Sequence, residues 1–311
     1  MDVGLVLPTM PVGASAEGIA AAAEAAERLG WHSVWTTDHV LVDAADAERY
    51  GFIFEALTTL AWVGARTQRV RLGTSVIVVP QRNAVVLAKE LATLDALTGG
   101  RVVVGVGVGW SEAEFANLGA ADRFAVRGAY LDETIRLWRH LWSGSQAPFE
   151  GRFHRFAGFA FGPLPAQGEG LPIVVGGRSR AALRRAATLG DGYQFHQEGP
   201  DELARRLPDL REEAARADRP VPPLAARLNV RFDAGGGARS ASRGGNTLRG
   251  DPLEMRRGLD AWAGLGVEEV IVAFGDTTPM AMVAAMERFD RDVLRGTEAG
   301  AARHGGGAKA G

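Results

Sequence analysis

The residues of this 311-residue chain that could do chemistry fall in a few short stretches. Asp38-His39 directly follows the apolar run Ser33–Thr37 (SVWTT). An imidazole at the end of a buried strand can donate a hydrogen bond or shuttle a proton near neutral pH. The neighbouring carboxylate can support it, or the pair can be a solvated loop or a helix cap. Pro172–Ala182 reads PIVVGGRSRAA: an apolar run ends at Gly176-Gly177, and Arg178 and Ser179 open a helix. Free amides at a helix N-terminus, with a guanidinium and a hydroxyl beside them, make a phosphate site; the alternative is a plain cap by Ser179. Gly105-Val-Gly-Val-Gly109 lacks the GxGxxG spacing of a dinucleotide fold. Its glycines, Gly107 among them, let a flat ligand approach the backbone or let neighbouring strands pack closely. His196 closes another apolar run, whereas His154 lies in an aromatic loop and His32 precedes a run.

These residues need elements to position them. Apolar runs at Asp2–Leu7, Ser33–Thr37, Leu72–Val79, Arg101–Val108, Leu171–Val175, Gly192–His196, Leu224–Phe232 and Glu269–Phe274 read as strands. Helical patterns separate them. The clearest is Ala84–Leu97, capped by Asn83, with apolar residues at helical spacing and Gly99-Gly100 as its stop. Two apolar strands joined by a helix make a parallel βαβ unit. Eight such repeats predict a closed (β/α)8 TIM barrel with loop insertions over residues 1–295; such a barrel typically needs about 250 residues. The active site of a barrel lies where the strands end, which gathers Asp38, His39, Gly107, Gly176–Ser179 and His196 at one mouth. Ser143–Gly170 reads as an excursion with a hairpin around Gly151, Ala234–Gly250 as a mobile Gly/Ser/Arg-rich segment, and 296–311 as a disordered tail.

Composition excludes several classes. The chain has no cysteine, no HExxH and no clustered His/Asp set, so no disulfide, thiolate or metal site is expected. It has no GxSxG elbow for a serine nucleophile. Its only lysines are Lys89, within a helix, and Lys309, in the tail, which argues against a Schiff-base aldolase. A net charge of −2 gives no basis for a nucleic-acid or anionic-membrane partner. No signal peptide or membrane span is expected, so the predicted location is cytoplasmic.

The segments TTDHV (Thr36–Val40), LGTSVIVVPQRNAVVLAKELATLDALTGGR (Leu72–Arg101), GVGVGWSEAEFANLG (Gly105–Gly119) and PIVVGGRSRAALRRAATLGDGY (Pro172–Tyr193) resemble the luciferase-like monooxygenase superfamily. More narrowly, they resemble its coenzyme F420-dependent oxidoreductases. The resemblance implies a flavin-type barrel, often a homodimer, acting on a small organic molecule. It implies hydride transfer with F420; the alternatives are oxygenation with reduced FMN or a non-catalytic flavin-binding barrel. It places His39, next to Asp38, beside the reactive ring as the proton-handling group. It makes Ser75–Val76 a non-proline cis peptide whose bulge backs the ring, and assigns Gly176, Gly177, Arg178 and Ser179 to the cofactor phosphate. Trp110 stands where some deazaflavin members carry an acid, and Glu112 lies two residues on. With His196 these are assigned to the substrate pocket, together with the Phe153–Phe161 loop and the Ala234–Gly250 segment.

Overall fold

The computed structural model describes residues 1–10, 14–232, 245–275 and 278–296. Eight parallel strands form a closed ring: β1 Asp2–Val6, β2 Ser33–Thr36, β3 Arg71–Thr74 resuming at Ile77–Val78, β4 Val102–Gly107, β5 Ile173–Gly176, β6 Gly192–His196, β7 Leu224–Phe232 and β8 Val267–Phe274. Each strand pairs with the next, and β8 returns to β1 with Asp2 opposite Glu269 and Leu5 opposite Val272. The expected (β/α)8 barrel is the observed fold.

The outer layer consists of helices α1 Ala16–Leu29, α2 Ala56–Gly64, α3 Ala84–Leu97, α4 Glu112–Asn117, α5 Arg127–Trp142, α6 Arg180–Leu189, α7 Pro200–Arg216, α8 Pro252–Ala263 and α9 Pro279–Arg288. The sequence signals act as anticipated. Asn83 accepts from the amides of Val85 and Val86 at 3.0 and 3.1 Å, starting α3. Leu87, Leu91 and Leu94 face the sheet, while Leu97 at the end of the helix is 81% exposed. Against α3 lies α5, whose buried Trp138 and Trp142 donate indole N–H bonds to Ala84 O and Ala88 O at 2.9 and 3.1 Å. Tryptophan is therefore mostly a core residue here. Only Trp110 is an exposed loop residue of this type, at 55%.

Side-chain alternation along the strands decides what lines the barrel. One parity of residues turns inward, and Val6, Trp35, Val103, Ala225 and Ile271 pack there as a separate apolar cluster. Trp35 fills the lower barrel, and glycines make room for it: a Cβ on Gly73 would lie 2.2 Å from the indole. The strands approach so closely that a Cβ on Gly105 would lie 1.8 Å from Thr74 O. Below, Trp35 Nε1 donates to Ser33 Oγ at 2.6 Å, and Ser33 in turn bonds Glu269.

Three segments differ from the sequence expectation. The Leu72–Val79 run is not one strand, because the ladder breaks at Ser75–Val76. Residues 234–244 of the segment expected to be mobile, and 297–311 of the expected tail, lie outside the described residues. The end of the former, Thr247–Gly250, is ordered: it pairs in parallel with β7 from Asn229 to Phe232. The Ser143–Gly170 excursion forms the expected hairpin, Phe149–Glu150 against Arg155–Phe156. It packs on the outer helices, with Phe153 against Tyr130 of α5 and Phe161 under Lys89 of α3. Its aromatic residues extend the outer core, so the structure gives this loop a packing role rather than the expected pocket wall.

Candidate active site

The mouth of the barrel is organised around Ser75 and Val76. Their peptide bond is cis. The Ser75 amide donates to Thr36 O at 2.7 Å, and its hydroxyl donates to Gln194 Oε1 at 2.6 Å, reaching across to β6. Arg227 of β7 reaches the same residue. Its Nη1 donates to Ser75 O at 2.8 Å and to Ser75 Oγ at 3.3 Å, and its Nη2 donates to Thr37 Oγ1 at 3.1 Å. The bulge is thus held from the opposite wall. Val76 turns inward between β4 and β5. A Cβ on Gly107 would lie 2.4 Å from its Cγ2, and one on Gly176 would lie 2.6 Å from its Cγ1. Those two glycines accommodate Val76. Of the two roles open for Gly107, ligand approach and close strand packing, the structure shows close packing against Val76.

His39 sits beside this bulge and is 8% exposed. Its Nδ1 lies 3.0 Å from Glu114 Oε2, and the Val40 amide donates to Glu114 Oε1 at 2.7 Å. Glu114 is buried on α4. Burial pushes its carboxyl upward, but the bonds from His39 and the Val40 amide outweigh burial and hold it below the usual carboxylate range. An ionised Glu114 accepts the hydrogen bond from Nδ1–H, which leaves Nε2 with its lone pair and no partner among the described residues. The Tyr50 ring lies 4.2 Å from His39 and the Trp110 ring 5.9 Å away, so Trp110 does join the site.

Asp38, expected beside His39 as a catalytic residue, is buried and ties the mouth together. Its Oδ2 accepts from the Val78 amide at 2.8 Å, where β3 resumes, and its Oδ1 accepts from Arg82 at 2.7 Å. Arg82 also bonds Glu55 at 3.0 Å. With both oxygens engaged, Asp38 anchors the point where β3 resumes after the bulge. Glu112 is exposed on the first turn of α4. The structure brings Glu114, not Glu112, to His39, because residues two apart on a helix face away from each other.

The β5–α6 turn keeps the features of an anion cradle. Ser179 caps α6, accepting from the Ala182 amide at 3.2 Å, so its hydroxyl oxygen serves the helix. Gly177 has φ +132°, a conformation that favours glycine, and its carbonyl accepts from Tyr193 at 2.8 Å. Arg178 is exposed and loosely paired with Glu198 at 3.4 Å, while Arg206 holds that carboxylate at 2.8 Å.

His196 and Arg227 are register partners on β6 and β7, so both turn into the mouth. Burial first, then Arg227 and Arg178, lowers the His196 pKa to about 4, so its ring is neutral at physiological pH. Burial brings Arg227 to about 10, so it remains charged. Sequence reasoning missed Glu114, Tyr50, Gln194 and Arg227. The alternation of β7, Ala225-Ala-Arg-Leu-Asn229, was the available signal that Arg227 shares the inward parity of Ala225.

Comparison with known proteins places this geometry in a family. A model described as luciferase-like monooxygenase matches residues 1–235. The chain belongs to the luciferase-like monooxygenase family. Within the reach of that family, an F420-dependent glucose-6-phosphate dehydrogenase of Mycobacterium tuberculosis is 35% identical over 204 residues, 64% of this chain and 59% of that enzyme. The match therefore spans less than two thirds of that relative's length. The crystal structure of monooxygenase RslO1 from Streptomyces bottropensis superposes with a TM-score of 0.79 at 25% identity, over 96% of this chain and 100% of that one. An F420-dependent secondary alcohol dehydrogenase in complex with an F420–acetone adduct gives 0.80 at 17% identity, over 94% and 98%, a likeness of fold.

Proposed function

We propose that this luciferase-like protein is an oxidoreductase that transfers hydride between coenzyme F420 and a small organic substrate. The observation that carries the reading is the buried His39–Glu114 pair at the mouth. Removing hydride from a carbinol carbon requires a base for the hydroxyl proton. His39 supplies it at Nε2, and the ionised Glu114 fixes the tautomer and stabilises the imidazolium that forms. Tyr50 and Trp110 cover the imidazole and restrict water around it. The named activity of the 35% identical relative supports the choice of F420.

The residues present fit such a cofactor. Val76 offers a half-buried apolar support for a ring at the mouth. The Gly177–Ser179 turn and Arg178 would hold a phosphate through backbone amides and a guanidinium. When bound, a 5-deazaflavin supplies a carbon centre that exchanges hydride with substrate and does not readily activate oxygen. A second reading, oxygenation with reduced FMN, is favoured by the near-complete superposition on a monooxygenase at 25% identity.

Ultrafiltration of the purified protein with F420 or FMN, read by absorbance, separates the two. Retention of F420 with oxygen-independent reduction is expected. Retention of FMN alone, with oxygen-dependent turnover, would replace the first reading by the second.

A further inference from the structure

Arg227 stands out among the charged groups of the mouth because no described residue neutralises it. The site's carboxylates are committed elsewhere: Asp38 to Arg82, Glu114 to His39, and Glu198 to Arg206. Among the described residues no carboxylate lies within ion-pair distance of Arg227, and its recorded acceptors are a carbonyl and two hydroxyls. A guanidinium has five N–H groups. Three of them meet Ser75 O, Ser75 Oγ and Thr37 Oγ1, which leaves Nε–H and one Nη2–H without a described acceptor. A planar donor pair of this kind matches an oxyanion with two oxygens.

Two further groups converge on the same place. His196 is the register partner of Arg227, and its ring makes no recorded hydrogen bond. Gln194, two residues earlier on the same inward face, is 2% exposed; its carbonyl accepts from Ser75 while its Nε2 donates to nothing described. A buried amide donor left unpaired is costly, so it marks a place where an acceptor is needed. A neutral imidazole, an orphaned amide and a guanidinium without a described carboxylate partner lie on two adjacent strands, and all are able to donate to a ligand in the mouth.

We infer that Arg227, His196 and Gln194 form an oxyanion subsite in the barrel mouth, and that the substrate carries a carboxylate or phosphate. This rests on the mouth being the substrate site, and it narrows the small organic substrate to an acidic one. The subsite differs from the Gly177–Ser179 cradle, which is built from a helix terminus and the exposed Arg178.

The test uses the full chain without cofactor, so its outcome does not depend on which cofactor is correct. Benzoate and inorganic phosphate are titrated by calorimetry, with benzyl alcohol as the uncharged control. Benzoate should bind, benzyl alcohol should not, and Arg227→Gln should weaken benzoate about ten- to a hundredfold. Arg227→Lys, which keeps the charge, should retain part of the affinity and guards against a folding artefact, with far-UV circular dichroism as the check. Arg178→Ala should weaken benzoate less than Arg227→Gln does. Loss of benzoate binding in Arg178→Ala but not in Arg227→Gln would overturn the assignment. So would absence of benzoate binding to the wild type. A loss of F420 affinity in Arg227→Gln as large as the loss for benzoate would make the anion the cofactor's own and also overturn the acidic-substrate inference.

Discussion

Glu114→Gln tests the proton-handling role directly, because the change is isosteric and removes the charge together with one acceptor oxygen. In the wild type the carboxylate takes two bonds, from His39 Nδ1 at 3.0 Å and from the Val40 amide at 2.7 Å. The amide oxygen of Gln can keep one of them. A charge-assisted bond contributes about 1.5–3 kcal/mol and a neutral one about 0.5–1.5 kcal/mol. The difference, about 1–2 kcal/mol, acts when an imidazolium forms at His39, because only then does Glu114 face a full positive charge. The expected loss is about five- to thirtyfold in kcat with a smaller change in KM. A merely structural role would lower the yield of folded enzyme without reshaping the pH profile. Positioning by Glu114 requires the acidic limb of the kcat profile, where the base becomes protonated, to move, and stability supplies a second readout. The folded pKa of Glu114 lies below its ordinary value of 4.5, so its stabilising contribution is present above that pH and is lost as pH falls through the folded value. Wild type and variant should therefore differ in urea midpoint at neutral pH and converge in acid. An unchanged kcat and pH profile in a folded Glu114→Gln enzyme would refute the proposed pair.

Three other perturbations follow from the same geometry. Gly107→Ala places a methyl 2.4 Å from Val76 Cγ2, so it should destabilise the protein by about 1–3 kcal/mol; adding Val76→Ala should recover much of the loss in a double-mutant cycle read by urea unfolding. Asp38→Asn breaks the pair with Arg82 at 2.7 Å and should cost about 2 kcal/mol of unfolding free energy, less than the roughly 3–5 kcal/mol of a fully orphaned buried charge, because Glu55 still accepts from Arg82. His196, faced by Arg227 and Arg178, has a folded pKa of about 4 against 6.5 for the free ring. The unfolded chain then binds the extra proton between these values, so stability should fall as pH drops from 6.5 towards 4, and His196→Gln should flatten that slope in thermal unfolding.

The barrel could be read from the sequence because its signals are local. The strand runs, the Asn83 cap and the Gly99-Gly100 stop each act within a few residues. Asp38-His39 and Gly176–Ser179 were visible because residues following an apolar run must lie at the mouth. What escaped notice was pairing over distance. Glu114 meets His39 across 75 positions, Gln194 meets Ser75 across 119, and Arg227 meets Ser75 across 152. No local pattern distinguishes Glu114 from Glu112 until the facing of α4 is known. The partners of Asp38 were hidden for the same reason, since Val78 and Arg82 are 40 and 44 positions away.

The two carboxylates of the mouth show how neighbouring acids come to do different work. Asp38 is spent on a backbone amide and on Arg82, so it stiffens the point where β3 resumes after the bulge. Glu114 is spent on His39 and on the amide of Val40, so it orients the one imidazole beside that bulge. Neither is left to neutralise Arg227, which instead ties β7 to the Ser75 carbonyl on the opposite wall. The charge that a well-sealed barrel would cancel is thereby kept available at the mouth. A guanidinium partly withdrawn from water needs an acceptor more than one on the surface does, and its attraction for an anion is correspondingly less screened. The cross-barrel bond that shapes the floor of the site and the selectivity proposed for an acidic substrate are thus two consequences of one side chain.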